Sequence, residues 1–247
     1  MAMNRRQGFE HHDSAWGRRL RNFVAGTIIL VASLAPLVLL WNASRVARVT
    51  NVFAAASLRH AALHDDLQEA DEALQLGEPV DTRDSTGCTP LHYAVNAEEP
   101  AILQLLLAHQ ADPNKRNNSG WSALDFAAAS GLSRSVELLL ESGAKVNQAN
   151  ADGATPLLRA VIRNDLATVK VLLDHGAQVN VRTTAGETPL LAAVRGESPE
   201  LVSELLANGA CAGDADGHGI TPLMLARSLK LTAVQRVLEQ HAIELTH

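Results

Sequence analysis

The sequence predicts an all-α chain, one transmembrane helix followed by an α-solenoid in which a helix-turn-helix unit repeats with a period of thirty-three. Three observations carry this. Gly87, Gly120, Gly153, Gly186 and Gly219 recur at that constant interval. Thr89-Pro90-Leu91 returns in phase as Thr155-Pro156-Leu157, Thr188-Pro189-Leu190 and Thr221-Pro222-Leu223, with Ser122-Ala123-Leu124 as the variant form. The 19 residues from Phe23 to Trp41 carry no charge.

Composition agrees with packed helices. The 247 residues are 47 % apolar but only 3 % aromatic, so alanine and leucine carry the hydrophobicity and suit close helix packing. A charged fraction of 19 % and a net charge of −6 argue against wholesale disorder and against a basic nucleic-acid binder. Two cysteines, Cys88 and Cys211, exclude a disulfide scaffold and a four-cysteine zinc site.

The charge is divided. Residues 1–50 hold seven arginines against two acids, a net +5, and the remaining residues hold 14 basic against 25 acidic groups, a net −11. At about 1.5 Å rise per residue, residues 23–41 reach roughly 28 Å, close to a bilayer core of about 30 Å. Trp16 and Trp41 lie near its two ends, where aromatic rings suit the interface, and Pro36 is tolerated within it. A buried core helix would show a polar face, and none exists. A cleaved signal peptide would need a shorter apolar run and a small-x-small site directly after it, but Trp41-Asn42-Ala43-Ser44-Arg45 offers no such site. Five arginines precede the span and two follow it, so the N-terminus is expected in the cytoplasm and the acidic body outside it, in the periplasm of a bacterial cell. There is no G-x-x-x-G pairing motif in the span.

Each unit has a local reading. Glycine before Thr-Pro permits a turn with positive φ. Threonine is a helix N-cap, and proline fits the first helical position, where its missing N–H costs nothing. Leu91, Ala94 and Val95 make an i, i+3, i+4 stripe on a short helix. After the polar break Ala97-Glu98-Glu99, a second helix starts near Pro100, and near Ser198-Pro199 in the fourth unit. Its leucine stripe ends at Gly143, Gly176 and Gly209, the left-handed residue that closes a helix. Gln110 and Ala242 replace that glycine and predict frayed or differently closed helix ends. Neither helix can bury its apolar face alone, so the units must stack.

The frame divides the chain into a basic tail (1–22), the transmembrane helix (23–41), a linker (42–53) and a degenerate N-terminal capping repeat (54–83). Four full units follow (84–116, 117–149, 150–182, 183–215), then a C-terminal capping unit (216–247).

Gly87-Cys88-Thr89-Pro90-Leu91-His92-Tyr93-Ala94 resembles the G-x-T-P-L-H-x-A signature of the ankyrin-repeat family, and Ala111-Asp112-Pro113-Asn114 resembles its A-D-x-N closing. Five units match, over about residues 84–247. Only the first keeps the signature histidine; Asp125, Leu158, Leu191 and Met224 replace it. The resemblance implies a rigid stack that binds a protein partner on its concave side, through turn tips and the inner face of the short helices.

No catalytic constellation stands out. There is no phosphate loop, nucleophile elbow or H-E-x-x-H, and no enzyme activity, cofactor or small-molecule substrate is expected. His92 reads as a structural residue of the signature. His109, His175 and His241 share a phase two units apart, roughly 20 Å at about 10 Å per stacked element, too far to share a metal. His60 and His64, an i, i+4 pair beside Asp65, lack a third zinc ligand. Gly213-Asp214-Ala215-Asp216-Gly217 lacks the glutamate of a calcium loop and reads as a turn beside His218. Asn42-Ala43-Ser44 and Asn117-Asn118-Ser119 fit a glycosylation pattern that matters only in a eukaryotic secretory route.

By the resemblance, partner contacts fall on Ser85, Thr86, Cys88, Asn96 and Ala97 in the first unit, and on Asn118, Ser119, Trp121, Ala129 and Ser130 in the second. The third unit offers Ala151, Asp152, Ala154, Ile162 and Arg163, and the fourth Thr184, Ala185, Glu187, Arg195 and Gly196. Trp121 is either an exposed anchor or packing against the neighbouring turn. Arg163 and Arg195, one position apart in adjacent units, either form a basic spot for a partner carboxylate or stand solvated. The expected function is a membrane-anchored protein-binding module; the alternatives are an accessory or protective subunit of a periplasmic or membrane enzyme, and a structural spacer.

Overall fold

The computed structural model describes residues 58–95 and 100–244. The expected transmembrane helix, its basic tail and its linker lie outside the described residues, as do Asn96 and Ala97. Among the described residues there is no strand, and no helix is long and apolar enough to cross a membrane.

Helical residues 58–64 open the stack and pair with α1 (Leu67–Gln75). Short and long helices then alternate: α2 (Pro90–Ala94), α3 (Ala101–Ala108), α4 (Ala123–Ser130), α5 (Ser133–Glu141), α6 (Pro156–Arg163) and α7 (Leu166–Asp174). The series continues with α8 (Pro189–Arg195), α9 (Pro199–Ala207), α10 (Pro222–Ser228) and α11 (Thr232–Glu244). Short helices pack on short ones and long on long, giving two layers.

The sequence dictates the helix starts. Thr155, Thr188 and Thr221 accept, through their hydroxyls, the N–H three residues on, at 3.4, 3.2 and 3.3 Å. Proline follows each of them at the first helical position. Asp66, Asp165 and Ser198 cap the second helices in the same way. Gly143, Gly176 and Gly209 all have positive φ just past the long helices, where a β-carbon would be strained.

The core is two columns of leucine. Leu91, Leu124, Leu157 and Leu190 stack along the short layer, and Leu106, Leu139, Leu172 and Leu205 along the long one, all buried. Each such side chain contributes about 1.5–3 kcal/mol on leaving water. Ala94, Ala127, Ala160, Ala193 and Ala226, also buried, let the short helices approach closely.

Two helix ends differ from expectation in opposite ways. Gln110 does not fray: it adopts φ 63°, and the N–H groups of Gln110 and Ala111 close on Leu107 and Leu106 as at a glycine end. Packing of the following unit offsets the modest left-handed penalty. Ala242 does not turn at all, and α11 runs through it to Glu244, a helix of 13 residues.

Side chains also stitch neighbouring units. Asn114, Asn147 and Asn180 each donate to a glycine carbonyl of the next unit, at Gly143, Gly176 and Gly209, and accept the N–H of Lys145, Gln178 and Cys211. Arg83, Arg116 and Arg182 each donate to the carbonyl one full period on, those of Arg116, Ala149 and Ala215.

Candidate protein-binding surface

Every turn tip is braced by one polar side chain at a fixed place in the frame. Asp84 accepts the N–H groups of Thr86 and Cys88, Asn117 those of Ser119 and Trp121, Asn150 those of Asp152 and Ala154, and Asp216 those of His218 and Ile220. Thr183 uses its hydroxyl towards Glu187. Adjacent tips join through Asn118 N–H on the Thr86 carbonyl and Thr184 N–H on the Asp152 carbonyl, both 2.9 Å. Asp84 also accepts the Tyr93 hydroxyl at 2.6 Å. Partial burial pushes its carboxyl up, but the bonds from Tyr93, Thr86 and Cys88 outweigh this and bring it down to about 2. The same bond holds the Tyr93 phenol above its ordinary value. Asp216 is lowered chiefly by the Ile220 N–H.

The expected contact positions divide by exposure. Ser85, Thr86, Asn118, Ser119, Ser130, Ala151, Asp152, Ile162, Arg163, Thr184, Ala185, Arg195 and Gly196 are exposed. Ala129, Ala154, Glu187 and Trp121 are half-buried, and Cys88 is buried with its sulfur against Asn117.

Trp121 is half-buried and packs against its neighbours. Its ring lies 5.0 Å from that of Phe126, and the Arg159 guanidinium sits over it at 3.6 Å. Arg159 also donates from Nε to Asp125 Oδ1 at 2.9 Å, and Asp125 is fully buried. Asp125 Oδ2 accepts the N–H and hydroxyl of Ser122, completing a capping box at the start of α4. Arg159 Nη2 is buried without a partner. Sequence reasoning passed over Arg159, Phe126 and Tyr93; their signal is a common phase, one period apart on successive short helices.

His92 is structural as expected. Its Nδ1 accepts the Thr89 N–H, and its Nε2 donates to the Trp121 carbonyl of the next unit at 3.1 Å. Burial pushes the imidazole below its ordinary value, so it stays neutral.

The two arginines expected to form a basic spot have different surroundings. Arg195 is paired with Glu187 at 3.2 Å and Asp216 at 3.4 Å. Arg163 has no ion partner among the described residues, and Ile162 beside it is 67 % exposed. Both lie on the face of α6 that carries Arg159, three and four residues on. His60 pairs with Glu69 at 3.0 Å and stacks near His64. Among the described residues no group of three or more metal-ligating side chains comes together, and Cys88 and Cys211 are free thiols.

The repeat family described as "Ankyrin repeats (3 copies)" matches residues 58–150 and 157–247. A crystal structure of an ankyrin repeat domain from Acinetobacter baumannii AYE is similar at 32 % identity and a TM-score of 0.71, over 75 % of this chain and 97 % of that domain. No curated protein matches. On its regular repeat frame, its paired helix layers and these matches, the chain belongs to the ankyrin-repeat family.

Proposed function

We propose that the chain is a protein-binding module that holds its partner on the short-helix and turn-tip side of the stack, at the second and third units, while residues 23–41 anchor it to a membrane. The observation that carries the reading is the side chain of Ile162, 67 % exposed on α6. Its equivalents Ala129 and Arg195 are small or already paired. Beside it Arg163 offers an unpaired cation, and the Trp121–Arg159 stack supplies a stiff platform. A partner segment with one apolar side chain and a carboxylate fits this chemistry. The acidic body and the arginine-flanked span support a cytoplasmic N-terminus with the repeats outside the cytosol.

A photo-reactive residue at Ile162 in the full chain, irradiated in its own membranes, tests the binding reading. It should cross-link one discrete protein, lost when Arg163 becomes Glu and absent when the probe stands at Asp174 on the long-helix side. Equal labelling from both faces, or none from Ile162, overturns it. Alkaline phosphatase fused after His247 tests the topology: high activity is expected, and an inactive, intact, membrane-bound fusion overturns the export of the repeats.

A further inference from the structure

The helix at residues 58–64 buries Leu58, Ala61 and Ala62, an i, i+3, i+4 stripe, and so turns His60 and His64 to solvent. These two histidines stand one turn apart, the spacing with which a single helix face presents two imidazoles to a metal ion. Their rings come together in the structure, with centroids 4.3 Å apart and planes inclined at 47°.

Glu69 completes the arrangement from the neighbouring helix. Its carboxylate lies 3.0 Å from Nδ1 of His60. With Nδ1–H donating to it, the free lone pair of His60 is on Nε2, the other side of the ring. A carboxylate behind one ring nitrogen is how metal-binding histidines fix their tautomer and gain basicity. Glu69 is itself placed by the turn, its N–H bonded to the Asp66 carboxylate at 2.9 Å. The local field suits a cation, since residues 58–78 hold six acidic side chains against Arg59 as their one lysine or arginine.

We propose that His60 and His64 form a two-nitrogen site for a divalent transition-metal ion, copper(II) by preference, with Glu69 as its positioning residue. Imidazole nitrogens completed by water suit the tetragonal N,O sphere of copper(II), which binds such donors more tightly than its first-row neighbours do. Among the described residues no third protein ligand joins them, so this is no closed structural zinc centre, and its ion exchanges with solvent. The ligands stand on one helix and the carboxylate that orients them on the next. A bound ion therefore ties residues 58–64 to α1 and steadies the first helix pair in proportion to its occupancy. The inference does not rest on the concave-surface reading.

The full chain in detergent, titrated with copper(II) chloride and followed by peptide-resolved hydrogen exchange, tests it. The ion should slow exchange over residues 58–75 by about five-fold or more and leave residues 189–228 unchanged. His64→Ala should abolish that local slowing, and as an exposed substitution it leaves the helix pair folded. Glu69→Ala should move the midpoint of the slowing to about ten-fold higher copper, and Glu69→Gln, which still accepts the Nδ1–H bond, should recover part of the shift. No slowing over 58–75, or the same slowing in His64→Ala, overturns the proposal. So does slowing spread evenly along the stack, which means an adventitious ion only. An unchanged midpoint in Glu69→Ala overturns the role given to Glu69.

Discussion

The junctions in the two halves of the stack are made of different material. Between the first three units the third residue of the short helix is polar: His92 bonds the next turn, and Asp125 bonds Arg159. Between the later units the same place holds Leu158 and Leu191, which simply pack. The backbone frame is the same, so it accepts either joint. The polar joint is directional and depends on every partner being present and correctly protonated. The aliphatic joint depends only on volume and burial.

The largest effect should come from breaking the polar joint on one side. Arg159→Met strands the buried Asp125 carboxylate and should cost about 3–5 kcal/mol in denaturant unfolding of residues 54–247. Adding Asp125→Leu should recover most of that loss, and a double variant no better than the single one would show that the pair does not act as a unit. Next comes the aliphatic joint. Leu191→Ala should cost about 2–5 kcal/mol, with no dependence on pH between 5 and 8. The seam is weaker: Asn147→Ala removes bonds to Gly176 and Gln178 at an exposed site and should cost about 1 kcal/mol.

His92 gives a slope in place of a step. Its folded-state value lies below the ordinary 6.5, so as pH falls the unfolded chain takes up the proton first. Stability is complete above about pH 6.5 and declines below it, and His92→Leu should flatten that part of the profile relative to wild type. Smallest of all, Arg195→Ala removes ion pairs whose cation is half exposed and should shift stability by less than about 1 kcal/mol.

The repeat frame was legible because its markers answer local needs that few residues meet. A left-handed turn calls for glycine at 87 or 186, and a helix start calls for Thr-Pro at 155–156. Where the left-handed residue is Asn164, Glu197 or Lys230 instead, no glycine marks the place, and the structure alone reveals it. Much of the candidate surface was legible for the same reason, since position in the frame set exposure at Ser85, Asn118, Asp152 and Ile162. Trp121 was not, because its partner Arg159 stands on the short helix of the next unit, more than a full period away, and no local spacing joins them. Nor was the pairing of Arg195, which needs Glu187 from its own turn and Asp216 from the next.

The two seams end before the stack does. The asparagine seam stops at Asn180, because Gly213 stands at the next place, and the arginine seam stops at Arg182, because Ala215 stands there. The last helix pair is therefore attached without either kind of stitch. Under tension along its axis, the molecule should behave as a spring with one soft coil. Pulled from its ends by optical tweezers, it should release α10 and α11 as a first, low-force step and hold the remaining coils to higher load.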